Sequence, residues 1–277
     1  ERGSIWYTAQ SGIWQTVWME EVSDPYIASL DIDADMGTLR VRANIAGETP
    51  RATRFSVDLF DEGELVASES VEVEGDEDPC IEIVLDEPHL WSPDDPHLYD
   101  LGISYGDDAV GSYCAFRSFT VEHVEGAGAG KPVFCCNHKP LFLKGVLDQG
   151  YWSDGLLTAL SDEALLHDIE TARELGFNMM RKHLKVEPTR WYYHCDRLGM
   201  VVWQDLVNGG AQGYPAFWTS QLPTLLPGIA RHVDDTKKLA RFGAEDEQDR
   251  ELWLAEARAT IECLRNFPCI ATWTIFN

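Results

Sequence analysis

Six polar residues in the second half of the chain stand where apolar runs end. Asp148 follows Phe142-Leu143-Lys144-Gly145-Val146-Leu147, and Arg181, His183 and Lys185 follow Met179-Met180. Asp205 closes Val201-Val202-Trp203-Gln204-Asp205, and Asn277 closes the run that begins at Cys269. A guanidinium on an apolar strand needs a carboxylate partner, because a buried unpaired charge is strongly destabilising. Arg181 is therefore read as half of an ion pair that orients a ligand, with a plain structural pair as the alternative. Asp205 either contacts the ligand, supports Arg181 or caps the loop beyond it. His183 can hydrogen-bond hydroxyls or a carboxylate, or be a satisfied polar group. Other constellations carry less. Cys135-Cys136-Asn137-His138 has metal-capable atoms, but adjacent strand residues point to opposite faces, so no metal site is expected. With no Gly-x-Ser-x-Gly, phosphate loop or dinucleotide fingerprint, no cofactor is indicated.

The elements around these residues alternate between strand and helix. Phe134–Cys136 and Leu141–Leu143 flank Asn137-His138-Lys139-Pro140 as a hairpin, whose second arm runs on to Val146. Ser161 caps a helix with Asp162 and Glu163 in its first turn, the buried stripe Leu165, Ile169, Ala172, Leu175, and a stop at Gly176. A strand follows at Phe177–Lys182. A second helix begins with Pro188 as its first residue and ends at Gly199, with Trp191, Cys195 and Leu198 on one face. Met200–Leu206 is the next strand. After a long connection from Val207 to about Glu247 come a third helix, with Trp253, Ala257, Ile261 and Leu264 at helical spacing, and a last strand, Cys269–Asn277. This order predicts parallel βα units, and residues 131–277 are about half of the roughly 250 that an eight-fold barrel takes. Carboxyl ends of barrel strands are where such folds do chemistry, which is where the six polar residues lie.

The first half has a different grammar. Short alternating runs at Tyr26–Ile32, Leu39–Ala46, Arg54–Phe60, Glu64–Val73, Cys80–Leu85, Tyr99–Tyr105 and Tyr113–Val121 predict an immunoglobulin-like β-sandwich. Phe55, Val57 and Leu59 share its inner face, with Arg54, Ser56 and Asp58 opposite. Ser4–Val22 reads as strand material from a preceding unit. The expected organisation is thus 1–22 as the tail of a preceding domain, 23–124 as the sandwich, 125–130 as a Gly-Ala linker, and 131–277 as the first half of a barrel.

Composition excludes several partners. The 277 residues carry 47 acidic and 22 basic side chains, a net charge of −25, which repels nucleic-acid phosphates and anionic lipid. No apolar run approaches the length of a membrane helix. The charge is uneven: up to Gly128 there are 28 acids and 6 bases, and from Ala129 onward 19 and 16. Seven scattered cysteines without a CxxC pair point to reduced thiols and a cytoplasmic location. The first ten residues show no signal pattern and no initiator Met, as expected of a fragment boundary.

Five segments, in order and with matching spacing, resemble glycoside hydrolase family 2, the β-galactosidase, β-glucuronidase and β-mannosidase group. Tyr7–Val22 (YTAQSGIWQTVWMEEV) resembles the exit from its N-terminal sugar-binding domain, and Lys139–Val146 (KPLFLKGV) its entry to the barrel. Leu175–His183 (LGFNMMRKH) is similar to the second barrel strand with its arginine, and Tyr192–Asp205 (YYHCDRLGMVVWQD) to the following helix and third strand. Arg265–Asn277 (RNFPCIATWTIFN) is similar to the fourth strand.

The resemblance implies a retaining, exo-acting β-glycosidase acting on a carbohydrate, with a homo-oligomer possible. It implies that Asn277 holds a sugar hydroxyl, that the acid/base glutamate directly follows it, and that the nucleophile lies further on. Asn277, Arg181, Asp205, His183 and Asp148 are then substrate-binding residues, and this chain alone is expected to be inactive. Trp152, Trp203, Trp218 and Trp273 could stack on a sugar face or simply pack. A non-catalytic carbohydrate-binding relative and a sandwich serving mainly oligomer assembly are the rival readings.

Overall fold

The computed structural model describes residues 8, 10–48, 52–74, 78–207, 221–230, 232 and 246–275. Strands β1 (Tyr26–Ala34), β2 (Thr38–Ala46), β3 (Thr53–Asp61), β4 (Glu64–Val73), β5 (Cys80–Val84), β6 (Tyr99–Tyr105) and β7 (Asp108–Cys114) form two antiparallel sheets, ordered β1-β2-β5 and β4-β3-β6-β7. Alternation explains their packing: Phe55, Val57 and Leu59 are fully buried, and meet Leu39, Val41, Ile83, Leu101 and Ile103 in one apolar core.

The expected strand Tyr113–Val121 is two elements. Gly106 (φ 58) turns β6 back into a hairpin with β7, which ends at Cys114. The chain then leaves the sandwich, and β8 (Phe119–Glu122) joins a second antiparallel sheet with β9 (Val133–Cys136) and β10 (Lys139–Pro140). Asn137 and His138 both have positive φ, so a two-residue turn closes the β9–β10 hairpin earlier than Leu141. Residues 8 and 10–22 of the tail form no strand, because no neighbouring strand pairs with them among the described residues.

Strands β11 (Gly145–Asp148), β12 (Met179–Lys182), β13 (Val201–Asp205) and β14 (Ile270–Thr274) form a parallel sheet in sequence order. Helices α1 (Asp162–Glu174) and α2 (Thr189–Leu198) connect β11 to β12 and β12 to β13. Two one-turn helices, α3 (Leu222–Leu225) and α4 (Pro227–Ala230), and then α5 (Glu247–Leu264) precede β14. The Ser161 hydroxyl accepts from Ala164 N at 3.2 Å, and α1 buries Leu165, Ile169 and Ala172. Leu175, expected in that stripe, is 71% exposed, because it is the residue where the helix ends. Pro188 sits one position before α2 rather than inside it, and Gly199 closes that helix at φ 70. A side chain at Gly199 would collide with the Pro93 carbonyl, so this close approach of sandwich and barrel requires glycine.

The junction between the two layers is polar and buried. The Trp91 indole donates to Asp196 O at 2.7 Å, the Tyr113 hydroxyl to Asp196 Oδ2 at 2.6 Å, and Cys269 N to Asp196 Oδ1 at 2.6 Å. Asn266 covers the open edge of β1 by accepting from Ile32 N at 3.0 Å and donating to Leu30 O at 2.8 Å. Among the described residues, no helix is long and apolar enough to cross a membrane.

Candidate active site

Strand alternation sorts the polar residues of the parallel sheet onto its two faces. Met180 and Val202 pack in the core beneath the helices, and Lys182 lies over the Trp191 ring of α2. Arg181, Trp203 and Asp205 therefore face the other way, into the concave side of the sheet. There the Arg181 guanidinium makes a two-pronged contact with its neighbour strand: Nε to Asp205 Oδ1 and Nη2 to Asp205 Oδ2, both 2.9 Å. The Asp205 side chain is 1% exposed and that of Arg181 29%, so the carboxylate is the buried partner and the guanidinium the one nearer the opening of this face. The Trp203 indole N–H shares this face and is buried without a hydrogen-bond partner among the described residues. A guanidinium fixed by a buried carboxylate, beside an indole donor at the carboxyl ends of two parallel strands, is chemistry that can orient the hydroxyls or carboxylate of a polar ligand.

The remaining expected site residues are placed differently. Asp148 lies on the helix side of the sheet, where its Oδ2 takes a 2.5 Å contact from Lys182 Nζ and its Oδ1 caps Gly150 N at 2.8 Å. It is thus set apart from Arg181 and Asp205. His183 continues the ladder by donating its backbone N–H to Asp148 O at 2.8 Å, and its Nδ1 lies 3.2 Å from Gln149 Nε2. Asn277 and Trp218 lie outside the described residues.

Behind the concave face is a buried polar cluster of which the sequence marked only Lys185 and Asp148. Glu187 Oε1 receives both Lys182 Nζ and Lys185 Nζ at 2.9 Å, and the side chains of all three residues are nearly fully buried. Burial by itself pulls the Lys182 ammonium down, but Asp148 and Glu187 together outweigh it and hold its pKa above the ordinary lysine value. For Lys185 burial wins and its pKa is lowered, against the pull of Glu187. Gln204, also buried, accepts from the Tyr192 hydroxyl at 2.6 Å and donates to both Lys185 O and Asp205 O at 2.8 Å. The available signal was spacing: Lys182, at the alternate position after Met180, had to point under the helices, where a lysine needs acids.

Among the described residues, no group of three or more His, Cys, Asp or Glu side chains is placed to hold a metal ion. The chain matches the family model for glycosyl hydrolases family 2 over residues 21–116, and that for the family's TIM barrel domain over residues 130–277. The chain belongs to glycosyl hydrolases family 2. The sandwich followed by part of a TIM barrel is this family's architecture. This family 2 chain is 25% identical over 220 residues to a β-galactosidase of Leuconostoc mesenteroides, covering 74% of the chain and 20% of that protein. It is 29% identical over 199 residues to a mannosylglycoprotein endo-β-mannosidase of Lilium longiflorum, covering 67% of the chain and 18% of that protein. A solved β-glucuronidase from Bifidobacterium dentium, complexed with coumarin-3-O-glucuronide, shares the fold with a TM-score of 0.70 and 18% identity. That match covers 92% of this chain and 38% of the other. The family 2 chain thus spans about a fifth of the length of these two curated relatives.

Proposed function

We propose that this chain supplies the sugar-orienting half of the active site of a retaining, exo-acting β-glycosidase. The observation that supports this most is the Arg181–Asp205 fork on the concave face at the carboxyl ends of β12 and β13. Arg181, Trp203 and Asp205 bind and orient the sugar ring. His183 lies at the rim with Gln149, and Asn277 holds a further hydroxyl. Asp148 acts from the far side of the sheet, by fixing the loop at Gly150.

The bond-breaking step belongs to two carboxylates that the family resemblance puts beyond Asn277. In a retaining mechanism they stand about 5–5.5 Å apart, one protonating the leaving oxygen and later activating water, the other forming the glycosyl intermediate. A fixed Arg181–Asp205 pair contributes by holding the sugar within reach of both, where orientation alone is worth several powers of ten in rate. The chain without those carboxylates binds a sugar and does not hydrolyse it.

The test is to express this chain together with the polypeptide that follows Asn277 and to offer p-nitrophenyl β-galactoside, β-glucuronide and β-mannoside. Hydrolysis of one of them, with proton NMR showing the β-anomer as first product, supports the reading. Saturable sugar binding with no hydrolysis of any of the three overturns it in favour of a non-catalytic carbohydrate-binding relative.

A further inference from the structure

The tail that precedes the sandwich lies across the loops of the barrel sheet, and three consecutive residues hydrogen-bond to it. Trp14 O accepts from the Thr158 hydroxyl at 2.8 Å, Gln15 Nε2 donates to Val186 O at 3.1 Å, and Thr16 Oγ1 receives Arg190 Nη1 at 3.3 Å. The neighbouring apolar side chains Ile13, Val17 and Trp18 point away and are exposed, so residues 14–16 form the seated side of the strap. Under it, Lys185 Nζ lies 5.3 Å from the Trp14 ring centroid, within cation–π range. The same ammonium binds Glu187 Oε1 at 2.9 Å and the Gly150 carbonyl. A side chain at Gly150 (φ 57) would collide with Glu187 and Lys185, so the backbone closes directly on the cluster. Finally, Lys185 O receives Gln204 Nε2, which also binds Asp205 O.

We propose that Lys185 is a positioning residue through which the Trp14 strap sets the geometry of the Arg181–Asp205 pair. One side chain and its carbonyl join four segments: the tail, the loop after β11, the loop after β12 and the end of β13. Lys185 touches no ligand; it acts through Gln204 and Gly150. The purpose of this coupling rests on the sugar-site reading above, but the coupling itself does not.

The Arg181 Nε–H resonance reports the fork directly, and amide exchange reports the loops. In Trp14→Ala the Arg181 Nε–H signal moves or broadens, and exchange at residues 148–150 and 184–187 accelerates about tenfold, the size of a lost partly desolvated cation–π contact. Trp14→Phe, which keeps an aromatic face, restores both. An Arg181 signal unmoved in Trp14→Ala, or faster exchange confined to residues 10–20, overturns the proposal. Trp14 lies outside both apolar cores, so the variant folds, and Lys185→Met serves as the second variant with the same expected signature. No sugar is present in this measurement, so its failure is distinct from failure of the hydrolysis test.

Discussion

Of the eight polar residues buried among the described residues, Thr53 alone belongs to the sandwich, while Lys182, Lys185, Glu187, His194, Asp196, Gln204 and Asp205 belong to the barrel segment, five on its strands and helices and two in the loop after β12. Yet the half of the chain that holds the sandwich carries 28 acids against 6 bases, and the other half 19 against 16. Net charge and buried charge thus sit in different regions. The sandwich keeps its acids in water, where they contribute solubility, and folds on an apolar core. The barrel segment is nearly neutral because it carries almost as many bases as acids, and its buried Lys182, Lys185, Glu187 and Asp205 each meet an opposite charge, which is what allows them to be buried. The overall charge of a chain says little about where its chemistry lies; the paired residues inside apolar surroundings say more.

The contrast can be broken from either side. Phe55→Ala removes a fully buried ring from the sandwich and is expected to lower stability by about 3–5 kcal/mol, equally at low and high salt. Glu187→Ala removes the carboxylate of Lys185 and leaves Lys182 with Asp148 alone, and is expected to cost about 3–5 kcal/mol, through unpaired charge rather than lost volume. Urea unfolding of both variants across salt and pH separates the two mechanisms: only the Glu187 loss shrinks as pH rises toward the lowered pKa of Lys185.

A smaller effect is expected at the junction. Burial raises the Asp196 carboxyl to about 7, opposed by the hydrogen bonds from Cys269 and Tyr113. A carboxyl with a raised folded-state pKa stabilises the fold relative to its ionised form below the unfolded value. That advantage is lost as pH climbs from about 4 to about 7. Thermal unfolding should show a lower melting temperature at pH 8 than at pH 5, and Asp196→Asn should flatten that slope. The smallest effect belongs to the sandwich surface, where the Arg40–Glu82 pair at 2.7 Å is half exposed. Glu82→Ala is expected to leave the urea midpoint almost unchanged, and high salt should erase any difference that remains.

The fold was legible wherever one face of an element is dry. Glu64–Val73 and Tyr99–Tyr105 have the bounds that alternation and turn residues predict, and α1 has its Ser161 cap and Gly176 stop. Tyr113–Val121 was misjudged because its apolar residues serve two cores: Cys114 and Phe116 pack in the sandwich, while Phe119 packs beneath the barrel. At the site, the end of an apolar strand marked Arg181 and Asp205, and the structure brings those two together. The same logic could not separate them from Asp148, because one step in register moves a side chain to the other face of a sheet. Strand ends marked Lys185 but gave it no partner, and Lys182, Glu187 and Gln204 were not marked at all, since the value of all four lies in contacts between segments far apart in sequence, from Trp14 to Asp205.

The central claim is that the Arg181–Asp205 fork orients the sugar. The most direct measurement is kcat/KM on the preferred β-glycoside, in the polypeptide extended beyond Asn277, for Arg181→Lys beside Arg40→Lys. Replacing the planar fork by an ammonium at Arg181 should lower kcat/KM about a hundredfold, mostly through kcat, while the same exchange at Arg40 on the sandwich leaves it unchanged. Equal kcat/KM for both variants and the parent would contradict the account.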